Sequence, residues 1–412
     1  MIALASELPR EAVNAKLIAI IKAMAVGLGV FLSGFVIREP APYELYMAGL
    51  IAVWALFGLR ISRYIAPLLV LFSVFIVGGL ISMSQLADLG DIPLYMAVSF
   101  FLALTAVFIA AVTETQPDLF PVIVRAWIIA AVLTSIIGIL GYFNAFPGAE
   151  MFTLYGRAAG AFQDPNVFGP FLALPGIYLL YRMVTDRPSR IVFYAVPFLV
   201  ITAGIFLSFS RGAWGLFGFS AVLILTFVFI QTSSALLRLR IIIMGVVAIG
   251  LLFAALIVIL QIPGVGELFL ERAKLMQDYD SARLGRFARY SIGFAMAIER
   301  PFGIGPMEFG KMLGEDTHNI WLKALMDYSW LGFAAYLTLI VWTLAAGFRI
   351  LFRDRPWQPY LLCAYVVLIG HIGLGTIIDT DHWRHFYLLL GMIWGCIALE
   401  RRHQSRLAGS IG

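Results

Sequence analysis

Long apolar runs separated by short polar segments make up most of the chain. A run of about 20 residues is what an α-helix needs to cross the ~30 Å hydrocarbon core of a bilayer. Runs of this kind lie at residues 17–37, 43–59, 64–83, 92–113, 119–143, 167–183, 191–208, 213–231, 241–261, 328–348, 358–377 and 384–399. The pattern predicts an all-α polytopic membrane protein with about twelve transmembrane helices, forming a single integral membrane domain over residues 1–412.

The basic residues between the runs indicate how the chain is oriented. With twelve crossings both termini lie on one side, and the segments on that side carry most of the arginines, including Arg187, Arg240 and Arg353. Because cytoplasmic loops are enriched in Lys and Arg, we expect both termini to be cytoplasmic. The amino-terminal stretch "MIALASELPREAVNAK" lacks the pattern of a cleaved signal, so we expect the first run to anchor the chain.

One connection, residues 262–327, is much longer than the others and falls on the outer, periplasmic side. Its stretch "RFARYSIGFAMAIERP" places Phe287, Tyr290, Phe294 and Ile298 on one helical stripe. Beside that stripe, arginines recur every three residues. We therefore predict an amphipathic helix that lies at the outer membrane surface and ends before the proline. The recurring residues are Arg283, Arg286 and Arg289.

Composition agrees with a membrane protein and argues against a nucleic-acid-binding one. Hydrophobic residues make up 61% of the 412 residues and charged residues 13%, about half the charged fraction of a soluble domain. The net charge of +5 is spread between apolar runs, so we expect membrane lipids and no nucleic acid as partners. Cys363 and Cys396 each lie within an apolar run and are predicted to be packing residues.

His318 lies where the long connection passes into the next apolar run. It follows Asp316 and Thr317, two good N-cap residue types, so we expect it in the first turn of a helix. The positive end of a helix dipole disfavours an imidazolium and would keep the ring neutral and able to accept a proton. His318 is therefore a candidate catalytic base. His371, His382, His385 and His403 lack this context and are predicted to be structural.

Arg211 lies in "SFSRGAWG", a tight outer turn where the charge bias disfavours a basic residue. A guanidinium at this depth is suited to bidentate binding of a phosphate. "GPMEFGKM" resembles a phosphate-binding loop, but it has Met312 where that motif needs Ser or Thr. The triplets "DYD" at 278–280 and "DTD" at 379–381 resemble metal-binding carboxylates but have no histidine cluster, and we expect no metal.

Four fragments resemble, in this order, the bacterial O-antigen ligase, O-antigen polymerase and protein oligosaccharyltransferase superfamily, and most closely its ligase type. They are "GRAAGAFQDPNVFG", "SFSRGAWG", "GRFARYSIGFAMAIERPFGIGP", with its arginine fifteen residues before the proline, and "HNIWLKALMDYSWLG". Two positions depart from the family pattern. Asp327 replaces the usual Glu, which keeps an acid there, and Ser329 replaces a glycine that normally makes a helix contact.

The resemblance implies a GT-C-type, inverting, metal-independent glycosyltransferase of the bacterial inner membrane. It would transfer O-antigen from undecaprenyl pyrophosphate to the lipid A core oligosaccharide at the periplasmic face. His318 would be the base, and Arg211 and Arg286 would bind the donor pyrophosphate, with Arg157, Arg283 and Arg289 contributing less. Because the donor is already activated, we expect no cofactor.

Three other functions remain open at this point. A polymerase would use a second carrier-linked glycan as the acceptor, and a protein oligosaccharyltransferase would use a protein. A transporter is the alternative from another class, since twelve spans are common among carriers. Carriers typically show two related halves, and no such repeat is visible in this sequence.

Overall fold

The structure, a computed structural model, describes residues 10–261, 265–273 and 285–411. Helices dominate it, and we number those of the described residues in chain order. They are α1 (Arg10–Leu32), α2 (Pro42–Leu56), α3 (Ala66–Met83), α4 (Ile92–Thr115), α5 (Leu119–Tyr142), α6 (Pro165–Phe171), α7 (Ala173–Thr185), α8 (Ile191–Leu207), α9 (Arg211–Gln231), α10 (Ala235–Leu260), α11 (Val265–Ala273), α12 (Arg286–Glu299), α13 (Glu308–Leu313), α14 (Ile320–Asp327), α15 (Ser329–Ile350), α16 (Gln358–Leu374) and α17 (Arg384–Ile411). A two-stranded hairpin pairs β1 (Thr153–Leu154) with β2 (Arg157–Ala158).

A helix, or the pair α6 and α7, occupies each of the twelve predicted positions. Within the described part of the chain, eight helical segments are long and apolar enough to cross a membrane, and α2 and α16 are shorter apolar helices. The remaining two positions hold α10 and α17, of 26 and 28 residues. The all-α polytopic architecture is confirmed, and the crossing number of twelve stays a prediction.

The core lies around α17, the most enclosed of the long helices. Its residues from Phe386 to Ala398 are buried against α4, α15 and α16. By contrast, most of the side chains described in α10 are exposed, including Ile242, Val246 and Ile249. Apolar exposure along a whole helix is typical of a surface that faces lipid and not water.

The long connection contains helices, as predicted. Helices α11 to α14 lie within residues 262–327, and α12 ends at Glu299, before Pro301 and the turn that follows. Phe287, Phe294 and Ile298 of α12 are more than half exposed, whereas Arg289 on the opposite face is 5% exposed. The apolar stripe therefore faces outward, as expected for a helix lying at a membrane surface.

The chain breaks between α14 and α15 with an unusual backbone conformation. Ser329, the position where the family usually has glycine, has a φ of 60°. The left-handed region costs a residue with a side chain about 1–2 kcal/mol. The close contact of this region with α3 is made on both sides of Ser329: a Cβ on Gly78 would overlap the backbone of Tyr328 and Gly332. Serine in place of glycine at position 329 therefore strains the backbone between α14 and α15 but leaves the close contact at Gly78 intact.

Replacing Ser329 by glycine should stabilise the protein by about 1 kcal/mol, because glycine adopts a positive φ without strain. The Ser329 hydroxyl is also buried without a hydrogen-bond partner among the described residues. The measurement is the thermal unfolding temperature of the purified protein in detergent. Ser329→Ala, which removes the hydroxyl but keeps the Cβ, is the control and should gain less. A glycine variant less stable than the alanine variant would contradict the strain argument.

Candidate active site

An open cavity of about 1320 Å³ lies beside the turn between α8 and α9, the start of α12 and the segment after α16. Arg157, Arg211, Arg286 and His318 all line it. These four candidates come from separate parts of the sequence, and the fold brings them to one surface. Among the described residues the cavity wall does not include Arg289, and Arg283 lies outside the described residues.

Arg157 is positioned by the small hairpin. Tyr155 and Gly156 both have positive φ, 52° and 68°, which is the two-residue type I′ turn that suits a tight hairpin. The first residue after the turn is Arg157, which is 7% exposed. Its Nε donates to the Ser208 carbonyl at 2.8 Å and its Nη2 donates to Asn166 Oδ1 at 2.8 Å. Arg157 thus fixes the α8–α9 turn while it lines the cavity.

Arg211 is the first residue of α9. Ser210 caps this helix, since its hydroxyl accepts a hydrogen bond from the Ala213 amide at 3.3 Å. A helix N-terminus with its free amides favours anions, and a guanidinium in the first turn adds to that field. The predicted tight turn with a basic residue is confirmed, and Arg211 faces the cavity.

Helix α12 presents its first residue, Arg286, to the cavity and buries Arg289 one turn later. Arg289 pairs with Glu315 and its Nη1 lies 3.4 Å from the Asp316 carbonyl oxygen. The pair attaches α12 to the segment that leads to His318. Arg289 therefore holds α12 in position, whereas Arg286 lies where a ligand in the cavity can contact it.

His318 does not lie in the first turn of a helix, which corrects the sequence-based expectation. Helix α14 begins at Ile320, and its N-cap is Asn319, whose side-chain oxygen accepts from the amides of Trp321 and Leu322 at 3.0 and 3.2 Å. His318 precedes this cap with a φ of 52°. Asn319, and not Asp316 or Thr317, is the N-cap because it lies two and three residues before the amides that it caps, which is the spacing that an N-cap bond requires.

The predicted neutral imidazole has a different physical cause from the one proposed from sequence. Burial lowers the pKa of His318 below its ordinary value, and the positive charges of Arg286 and Arg289 lower it further. Glu315 and Asp316 act in the opposite direction but are outweighed. At neutral pH the ring is therefore uncharged and able to accept a proton.

The segment after α16 lies beside His318 and is hydrogen-bonded to the two residues that follow the histidine. The Ile320 amide donates to the Gly375 carbonyl at 2.9 Å, and Asn319 Nδ2 donates to the Thr376 carbonyl at 3.1 Å. Tyr290 of α12 donates to the same Thr376 carbonyl at 3.1 Å. Tyr290, assigned from sequence to the apolar stripe, instead connects three parts of the site.

This segment carries Asp379, whose Oδ2 lies 3.7 Å from His318 Nδ1 and 3.9 Å from Lys323 Nζ. Lys323 belongs to α14 and its side chain is 8% exposed. Its ammonium also lies 3.3 Å from Asp316 and 3.9 Å from Asp327. One buried cation therefore holds three carboxylates, and one of those carboxylates faces the histidine.

The pKa shifts in this cluster follow from burial and from the shared cation. Burial raises the pKa of Asp379 to about 7, although Lys323 opposes the shift. Burial alone would lower the pKa of Lys323, but the nearby carboxylates outweigh it and hold the pKa well above its usual range. Burial likewise raises the pKa of Asp327, with Lys323 acting against it. Lys323 stays charged, and Asp379 titrates near neutral pH.

Asp379 and Lys323 were missed from sequence alone. The triplet that contains Asp379 was noticed there only as a weak metal motif. Lys323 lies five residues after His318, inside an apolar helical pattern, and a lysine at such a position needs a buried acid. That requirement was the available signal, and it would have directed attention to carboxylates elsewhere in the chain.

Fold and site together define a polytopic all-α membrane protein with an arginine-lined cavity beside a histidine–carboxylate pair. Residues 196–337 match the family model described as O-Antigen ligase. This match confirms the resemblance to the O-antigen ligase superfamily. None of the curated proteins compared with the chain matches it. Arg211, Arg286 and His318 fall inside the matched segment, whereas Arg157 and Asp379 fall outside it.

Lys323→Met should destabilise the protein by about 3–5 kcal/mol, because it leaves Asp316, Asp327 and Asp379 without their buried cation. The measurement is the unfolding temperature of the purified protein in detergent. Lys311→Met is the matched control, since Lys311 is half exposed and, among the described residues, its one ion pair is with Glu308 on its own helix.

The pH dependence tests whether the loss is electrostatic. The pKa of Asp379 is raised from 3.8 to about 7 in the folded state, so its ionisation costs stability as pH rises between these values. Without the positive charge of Lys323, the free-energy cost of ionising Asp379 in the folded state is larger. The deficit of the variant should therefore be larger near pH 8 than near pH 5. Equal deficits at the two pH values would assign the effect to lost packing.

Proposed function

We propose that the protein is a glycosyltransferase that moves O-antigen polysaccharide from undecaprenyl pyrophosphate to the lipid A core oligosaccharide. The observation that carries the proposal is the meeting of Arg157, Arg211 and Arg286 with His318 in one cavity. Arginines at the ends of apolar helices are suited to bind the pyrophosphate group of a lipid. A neutral histidine beside them suits a hydroxyl acceptor.

In the proposed reaction an acceptor hydroxyl attacks the anomeric carbon of the donor sugar. The new glycosidic bond forms as the bond between that carbon and the pyrophosphate oxygen breaks, and undecaprenyl pyrophosphate leaves. The arginines stabilise the negative charge that develops on the leaving group. A single displacement inverts the configuration at the anomeric carbon and uses no metal or nucleotide.

His318 takes the proton of the attacking hydroxyl. Its Nδ1 faces Asp379 at 3.7 Å, so a proton on Nδ1 points to a carboxylate and Nε2 is left as the acceptor. This distance is longer than a hydrogen bond, and the proposed mechanism requires that the two groups approach each other when the acceptor binds. Asp379 orients the ring and stabilises the imidazolium that forms.

The charge pattern of the loops supports a site at the periplasmic face of the inner membrane with cytoplasmic termini. Polymerisation of carrier-linked glycan and transfer to protein use the same donor chemistry, so the same cavity would serve both. The lipopolysaccharide of a deletion strain separates these functions. Loss of the ligase leaves undecorated core, loss of a polymerase leaves single repeats on the core, and an unchanged lipopolysaccharide favours the protein acceptor.

His318→Ala should lower the transfer rate by about 10²- to 10⁴-fold, because the acceptor loses its base. The assay uses the purified protein, a lipid-linked donor and an acceptor without divalent metal. Donor binding should be largely kept, whereas Arg211→Lys should weaken donor binding, since an ammonium cannot reproduce a bidentate contact. His403→Ala on the far end of α17 is the control. Near wild-type transfer by His318→Ala would exclude the catalytic-base role.

Asp379→Asn should slow transfer and also change the pH profile of kcat/KM. In the wild type, activity should fall as pH drops below about 7, where Asp379 takes up a proton. In the variant this group is gone, and the remaining acid limb should follow His318, whose pKa lies below its ordinary value. The limb should therefore move to lower pH.

The control for this profile is Asp354→Asn, which alters an exposed carboxylate in the turn between α15 and α16. It should keep both the rate and the profile of the wild type. An acid limb that stays in place in Asp379→Asn would show that Asp379 does not set it.

A further inference from the structure

A second concave surface lies at the opposite ends of two helices that begin at the candidate active site. Helix α15 starts directly after α14, and α17 starts directly after the segment that carries Asp379. Between their carboxyl-terminal halves is an open groove of about 660 Å³. None of the described residues that line this groove also lines the active-site cavity.

One wall of the groove is a single face of α15. Leu337, Val341 and Ala345 recur every four residues and are followed at the same spacing by Arg349, and Arg353 lies just after the helix ends at Ile350. At 1.5 Å per residue the helical face from Leu337 to Arg349 is about 18 Å long, apolar as far as Ala345 and basic at its end. The length fits one leaflet of hydrocarbon, about 15 Å, together with a headgroup.

The opposite wall of the groove is formed by α17, which contributes charged residues and is held in place by hydrogen bonds. Glu400, 1% exposed, accepts hydrogen bonds from Arg353 Nη1 and Arg355 Nε, both at 2.7 Å. These contacts hold the turn that follows α15 against α17. Arg401 lies next to Glu400 and lines the groove together with Arg349.

The basic end of the groove carries more positive charge than its own acid can neutralise. Arg353 and Arg355 already offset the charge of Glu400. Neither Arg349 nor Arg401 has a hydrogen bond or ion pair among the residues that the structure describes. Two guanidiniums at headgroup depth beside an apolar channel are suited to a phosphate that is attached to an acyl chain.

We propose that the groove between α15 and α17 binds one anionic phospholipid from the leaflet opposite the candidate active site. Its phosphate lies against Arg349 and Arg401, and one acyl chain lies along Leu337, Val341 and Ala345. The charge complementarity selects an anionic over a zwitterionic headgroup, and the apolar wall selects a lipid over a soluble anion. The proposal does not depend on the transfer reaction.

The test is native mass spectrometry of the full chain purified in detergent, with phosphatidylglycerol or phosphatidylcholine added at equal concentration. The wild type should retain phosphatidylglycerol over phosphatidylcholine. Each arginine near a lipid phosphate is worth about a fivefold change in binding. Arg349→Gln combined with Arg401→Gln should therefore lower phosphatidylglycerol retention by on the order of tenfold or more.

Two further variants separate this site from general surface charge. Arg402→Gln with Arg406→Gln removes two arginines of the same helix that do not line the groove, and it should keep the preference. Ala345→Phe leaves every charge in place but fills the acyl channel, and it should lose the lipid. Unfolding temperatures close to that of the wild type show that each variant is folded.

Three outcomes would overturn the proposal. Equal retention of the two phospholipids by the wild type would remove the headgroup selection. An equal loss in the Arg402 and Arg406 variant would reduce the effect to surface charge. Stronger retention of an added polyprenyl phosphate than of phosphatidylglycerol would assign the groove to the carrier lipid instead.

Discussion

The buried ammonium of Lys323 is the interaction on which the arrangement of the site depends. It lies within 4 Å of Asp316, Asp327 and Asp379, which belong to the segment before α14, the end of α14 and the segment after α16. Burying the charges of Lys323, Asp327 and Asp379 is costly, and the cost is offset only while the carboxylates converge on the one cation. The position of Asp379 beside His318 is thus set by a requirement for charge balance.

Much of the architecture follows from hydropathy, because a helix that crosses a bilayer must be apolar along its whole length. Each predicted span has a helix, and the turn with Arg211 was predicted within one or two residues. The grouping of Arg157, Arg211 and Arg286 was suggested only by the order of family motifs. Local periodicity says nothing about which loops meet, so their common cavity became visible only in three dimensions.

What the sequence could not supply depends on long-range pairing. Asp379 lies 61 residues after His318 and outside the matched family segment, and no local pattern links the two. The burial of Arg289 was missed because helical periodicity places residues on a face without saying what covers that face. His318 was assigned to a helix because Asp316 and Thr317 are good caps, whereas Asn319 fulfils that role.

The hydrogen bonds that join Asn319 and Tyr290 to the Thr376 carbonyl connect segments that are synthesised at different times. A ribosome delivers the arginines and His318 first, and the segment with Asp379 emerges only after α16. Until that segment has been synthesised, the nascent protein has the arginines and His318 but not Asp379. The histidine–carboxylate pair can therefore form only late in biogenesis, after most of the helices have entered the bilayer.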